Sequence, residues 1–127
     1  MLIKIDTYSE KPIYEQLRDS IIVGVASGQL SEGEPLPSAR NLAADLGVNF
    51  HTVNKAYDVL RSEGYIVMDR RTTAIVAALK EKGDMPSILS EKLAMCAAEA
   101  ICNGIEERAF AETCAGIYRR IKGGSSQ

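Results

Sequence analysis

Histidine and cysteine are scarce in this sequence: a single imidazole, His51, and three thiols, Cys96, Cys102 and Cys114. The thiols are odd in number, have no CxxC spacing and lie far from the histidine. That argues against both a disulfide framework and a structural zinc site. Thiols buried or half-buried on helices, behaving as small hydrophobes, are expected, with a redox switch as the sharper alternative. Long apolar runs are missing too. The stretch from Ile21 to Ala26 is broken by Gly24 and is far too short to cross a bilayer. The opening MLIKIDTYSE has no basic segment leading into an apolar one, so no secretory signal is read and a cytoplasmic protein is expected. Positive charge is not in excess either. The formal net charge is −2, and residues 1–80 and 81–127 each carry one more acid than base. Any contact with nucleic acid must therefore come from a local cluster of cations, with modest non-specific affinity. Paired carboxylates, a nucleophile–base set, a phosphate-cradling glycine loop and metal-ligand spacing are all lacking, which excludes an enzyme and calls for no cofactor or metal.

What is present is an ordinary globular balance, 46% apolar and 25% charged over 127 residues, with helical periodicity and well-placed punctuation. Leu2, Ile3 and Ile5 alternate with polar residues as in a short edge strand. Pro12 opens a helix over about 13–27, where Ile13, Leu17, Ile21 and Val25 recur every fourth residue. Two prolines and a glycine between Ser31 and Pro37 forbid its continuation. Ser38 then stands as N-cap of a second helix over 39–46, which Gly47 closes in a left-handed conformation. Asn49 caps a third helix over about 50–63, with Val53, Ala56, Tyr57 and Leu60 on its apolar face and Gly64 as its stop. Residues 65–68 and 74–78 read as a hairpin around Asp69-Arg70-Arg71-Thr72-Thr73.

Two short helices joined by a tight turn and followed by a hairpin make a winged helix-turn-helix. On its third helix the core takes one face and leaves His51, Thr52, Asn54, Lys55 and Asp58 on the others. The first turn of such a helix enters the major groove, making Phe50, His51, Thr52 and Asn54 candidates for base edges. Asn54 suits an adenine. Lys55 and Arg40 suit phosphates, and Arg70 and Arg71 at the wing tip suit phosphates or a narrow minor groove.

The motifs Pro12-Ile13-Tyr14-Glu15-Gln16-Leu17, Leu36-Pro37-Ser38-Ala39-Arg40-Asn41-Leu42-Ala43, Leu46-Gly47-Val48-Asn49, Thr52-Val53-Asn54-Lys55-Ala56-Tyr57 and Glu63-Gly64-Tyr65-Ile66, in this order, resemble the GntR family of bacterial regulators. The likeness is close over about residues 8–78, and the length suits its YtrA-like subgroup with a short two-helix C-terminal segment. The resemblance implies a dimeric, DNA-binding transcription repressor. It also implies that Ser38, Arg40, Asn49, Phe50, His51, Thr52, Asn54, Lys55, Arg70 and Arg71 contact DNA. Two departures stand out. The family wing carries glycines where this chain has Arg71 and Thr73, so the wing is expected to grip phosphates with side chains rather than insert backbone. Phe50 replaces a proline or arginine, suggesting apolar contact with a thymine methyl.

The expected architecture is mainly α with a small β-hairpin. A winged unit over 1–79 is followed by a linker over 80–86, a two-helix dimerisation segment over 87–122 and a disordered tail over 123–127. The last two helices, about 88–103 and 106–122, carry stripes of Leu89, Leu93, Ala97, Ala100 and Ile101, and of Phe110, Cys114, Ile117 and Ile121. Such stripes need a partner surface. A second copy is the cheapest one, predicting a homodimer on a palindromic double-stranded DNA operator, with no membrane partner. A small-molecule effector has room where these helices meet the winged unit, although no residue cluster names it. The alternative function is a winged-helix protein-interaction module with weak or lost DNA binding, favoured by the acidic net charge and the glycine-poor wing.

Overall fold

The computed structural model describes residues 3–124. In chain order they form α1 (Ile13–Ala26), α2 (Ala39–Leu46), α3 (Phe50–Ser62), β1 (Ile66–Met68), β2 (Ala74–Val76), α4 (Ser87–Cys102) and α5 (Glu107–Lys122). The expected mainly helical fold with a hairpin is what is found, with element ends moved by one or two residues. The expected disordered tail falls partly on residues 125–127, outside the described residues. Gly123 and Gly124 continue from α5 as a turn.

Helices α1 and α2 both pack on α3, because all three place their apolar stripes toward one another. Leu17, Ile21, Val53, Ala56 and Leu60 are fully excluded from solvent, and Leu42 and Ala43 nearly so. The core divides into two clusters. Leu17, Leu42, Ala43, Val53 and Ala56 sit beneath the helix-turn-helix. Ile21, Val25, Leu30, Leu36, Leu60, Ile66 and Val76 join α1 and α3 to the hairpin. Both helix junctions follow the sequence's punctuation. Ser38 accepts the Asn41 N–H at 3.1 Å. Gly47, at φ 69°, lets the Val48 N–H return to the Ala43 carbonyl at 3.0 Å, a closure for which a side chain would be strained.

Two segments depart from expectation. Ile3 and Ile5 form no strand. Their side chains pack against the core clusters, while Gln16 takes over the backbone hydrogen bonds. It accepts the Asp6 N–H at 2.8 Å and donates to the Asp6 and Lys11 carbonyls at 3.0 and 2.8 Å. The segment between α1 and α2, expected to be only a breaker, adds an edge to the hairpin. Leu36 N–H donates to Ala74 O at 2.8 Å, Val76 N–H to Glu34 O at 3.0 Å and Gly33 N–H to Val76 O at 2.8 Å. Pro35, with no N–H to offer, bridges to Ile75 at an outer edge, the place where a sheet tolerates proline.

Helices α4 and α5 bury no residue. Among the described residues α5 touches α1, whereas α4 and α5 share little contact with each other. The half-buried thiol is Cys114, but Cys96 and Cys102 are exposed, contrary to the expectation of sheltered thiols, because α4 lies against so little of its own chain. Among the described residues no helix is long and apolar enough to cross a membrane.

Candidate nucleic-acid interface

Helix α3 stands as a ridge between two hollows. One, of about 380 Å³, lies between α3 and the wing and is lined by Ser38, Asn54, Tyr57, Asp58, Arg61 and the wing residues Met68, Thr72 and Thr73, among others. The other, of about 630 Å³, lies between the starts of α1 and α3 and is lined by Pro12, Ile13, Tyr14, Asn49, His51, Thr52 and Lys55. Of the sequence-predicted residues, Ser38 and Asn54 line one hollow and Asn49, His51, Thr52 and Lys55 the other, while Arg40, Phe50, Arg70 and Arg71 line neither. His51, Asn54 and Lys55 are exposed, and Thr52 is half-buried.

Asn49 and Ser38 carry out the capping that their positions called for. The Asn49 Oδ1 accepts the His51 N–H at 2.7 Å, satisfying one of the unpaired N–H groups at the start of α3. Phe50 is half-buried and packs on the cluster beneath the helix-turn-helix. Its ring lies edge-on to His51, centroids 5.5 Å apart. The guanidinium of Arg40 rests 4.7 Å from the same ring, a cation–π contact that sets the arginine beside the first turn of α3.

Sequence reasoning missed three features that shape this face. Tyr14 carries no assigned role in the sequence reading, yet the Lys55 ammonium sits 4.1 Å over its ring. Burial, with the charge and hydrogen bond of Glu15, holds the Tyr14 phenol above its ordinary value. Tyr57 was read as core. It is, but its hydroxyl also donates to the Pro37 carbonyl at 2.7 Å, pinning α3 to the entry of α2, and burial pushes its pKa up to about 12. Asp69 builds the wing turn by accepting the Arg71 and Thr73 N–H groups at 2.8 and 2.9 Å. No local signal marks the roles of Tyr14 and Tyr57, whereas an Asp at the head of a turn is itself the usual signal for the bond Asp69 makes.

Arg70 and Arg71 are exposed at the wing tip and line neither hollow. The left-handed residue of this turn is Thr72, at φ 60°, rather than Arg71 or Thr73, where glycines were expected. Of the cations on this side, Arg40, Lys55, Arg70 and Arg71 join no ion pair among the described residues. Arg61 is paired with Asp58, and Arg18 with Asp19 and Glu63. The described residues hold no cluster of three or more metal-ligating side chains.

Residues 10–76 match the family model of bacterial regulatory proteins of the gntR family. The chain belongs to the GntR family. It is similar to the transcriptional repressor YtrA of Bacillus subtilis, 32% identical with 97% of each chain covered. A shorter alignment, 41% identical, joins it to the transcriptional regulator Rv1152 of Mycobacterium tuberculosis, covering 50% of this chain and only 53% of that relative. Among solved structures, a transcriptional antiterminator from Listeria monocytogenes matches with a TM-score of 0.85 at 30% identity, covering 100% of this chain and 97% of the other. YtrA from Sulfolobus acidocaldarius, a GntR-family transcription factor, matches with a TM-score of 0.67 at 39% identity, over 80% and 99%. As a GntR chain, this protein has a winged helix-turn-helix whose core, caps and ridge are those described above, and its relatives are named as regulators rather than enzymes.

Proposed function

We propose that this GntR protein is a transcription repressor that binds a palindromic double-stranded DNA operator as a homodimer. The division of labour is a winged unit over 1–79, a linker over 80–86 and a dimerisation segment over 87–122. The observation that carries it is the α3 ridge, flanked by two hollows and by the unpaired cations Arg40, Lys55, Arg70 and Arg71. A helix of this kind fills the major groove, and the phosphate strands on either side meet the flanks. Asn54 and His51 face base edges, while Arg40, Lys55 and Thr52 hold the backbone in register. Ser38 and Asn49 orient the two helices and offer their remaining hydrogen-bonding groups at the same surface. Phe50 acts chiefly by seating Arg40, leaving its outer edge for a thymine methyl. The repressor assignment leans on the likeness to the Bacillus YtrA, and the homodimer on the uncovered apolar faces of α4 and α5.

The test is selection of bound duplexes from a random pool, followed by titration of the best site at several salt concentrations. A two-fold symmetric site and affinity that falls steeply with salt are expected, because phosphate contacts release counterions. Binding without symmetry overturns the homodimer on a palindromic site, and no binding at any salt overturns DNA binding altogether and favours a protein-interaction module.

A further inference from the structure

A hollow of about 520 Å³ opens between the winged unit and the start of α4. This volume is in the range of small-molecule sites. Its walls are mostly apolar. Tyr65 and Leu79 line it from the winged side and Ile88 and Leu89 from α4; Leu79, Ile88 and Leu89 are left 56%, 59% and 39% exposed. Such surface gains by being covered.

The charges around it are unequal. Glu63 is the acid of the lining, and it is fully engaged: Arg18 donates to both of its carboxylate oxygens, at 2.7 and 3.1 Å. Lys80 and Lys92 also line the hollow, and neither enters an ion pair among the described residues. A site with a greasy wall and two unanswered ammonium groups suits an amphipathic anion. It suits a second protein chain less well, because covering both lysines with ordinary protein surface would strip water from charges left without partners.

We propose that this hollow binds a small monoanion with an apolar body, a carboxylate carrying a short alkyl or aryl chain, with the carboxylate between Lys80 and Lys92. This assignment gives the effector site a chemistry. Glu63, the C-cap of α3, and Gly64 after it line the hollow, so an occupant lies beside the far end of the helix whose first turn is proposed to face DNA.

The experiment is calorimetric titration of the full chain, without DNA, using 3-phenylpropionate and its uncharged amide as probes. The acid is expected to bind, and the amide to bind about tenfold more weakly, as befits the loss of charge-assisted hydrogen bonds. The Lys80→Gln/Lys92→Gln double variant should reduce the acid to the level of the amide. Leu79→Ser, on the winged side of the hollow and outside every helix, should weaken both probes while leaving helical circular dichroism unchanged. Equal binding of acid and amide, absence of binding by both, or indifference to the lysine substitutions overturns the proposal. So does a probe signal that emerges only when dilution separates dimers, since a second copy would then be the occupant. Because no DNA is present, this result and the outcome of the operator selection can fail independently.

Discussion

The guanidinium of Arg40 lies 4.7 Å from the ring of Phe50, joining the second residue of α2 to the first residue of α3. Two residues ten apart in the chain thereby present one surface, and the turn through Gly47 and Asn49 is what brings them together. The half-buried ring packs on the core cluster beneath the helix-turn-helix, so the arginine is seated on a side chain that the core itself holds.

If that is how Arg40 is aimed, Phe50→Ala should weaken operator binding without touching any charge. A loss of about three- to tenfold is expected from the cation–π contact and the freed side chain. Arg40→Ala should lose more, and the double variant little beyond Arg40→Ala alone. Fluorescence anisotropy titrations of the four proteins check this, and strict additivity would place the two residues in separate roles.

Tyr57 gives a prediction that combines stability with pH. Tyr57→Phe removes the hydroxyl that donates to Pro37 O, a loss of about 1 kcal/mol, readable in urea unfolding. The folded-state pKa is raised by burial to about 12, so the neutral phenol is the form that folding favours. Its contribution is complete below the ordinary 10.0 and disappears as pH rises through 10 toward 12. The gap between wild type and Tyr57→Phe should shrink over that window.

Asp19 works in the opposite direction. Burial opposes its charge, but hydrogen bonds from Lys11 and Arg18 overcome that and hold its pKa below the ordinary 3.8. A depressed carboxylate stabilises the fold above its unfolded value and loses that contribution as pH falls. Asp19→Asn should therefore be less stable than wild type at neutral pH, and the difference should close as acid unfolding is followed below 3.8.

The wing turn holds a removable strain. Thr72 sits at φ 60°, where a β-branched side chain crowds the backbone, and it follows a turn closed by the Thr72 N–H to Asp69 O at 3.1 Å. This is the three-residue hairpin loop in which glycine is the preferred occupant of the left-handed position. Thr72→Gly should raise stability by about 1 kcal/mol, seen as a higher melting temperature. An unchanged or lower value would mean that the Thr72 hydroxyl, which donates to Arg71 O at 2.5 Å, offsets the strain.

The features that were legible in the sequence share a cause. Ser38, Gly47, Asn49 and Gly64 act within a few residues of themselves, so their chemistry fixes the helix ends wherever the chain goes. The apolar period of α3 likewise names Val53, Ala56 and Leu60 before any neighbour is known. What escaped depends on distant partners. Pro35 joins β2 only because the hairpin happens to lie beside it, and a proline-rich stretch carries no strand signal. Ile3 alternates like a strand but is captured by the core while Gln16 satisfies the backbone nearby. Arg40 was expected at DNA, but its seat on Phe50 could not be read until the turn between α2 and α3 had its geometry. Thr72 was hidden because the glycine pattern pointed to its neighbours on either side.

The uncovered helices give the most direct check on assembly. Leu93 on α4 and Ile117 on α5 are 45% and 43% exposed, although both lie on apolar stripes, and α4 is covered by almost nothing of its own chain. Burying such stripes in a two-fold interface would stabilise the dimer by a few kcal/mol, at roughly 25 cal/mol per Å² of apolar surface removed from water. Leu93→Glu places a charge at that seam, where it would be desolvated without a partner. Sedimentation should show wild type as a dimer and Leu93→Glu as a monomer at micromolar concentration, with the winged unit's thermal transition retained. Operator affinity should then drop far more than any single phosphate contact explains, because each recognition helix must find its half-site alone. A wild-type chain that sediments as a monomer would leave these stripes to another partner and remove the reason for a palindromic site.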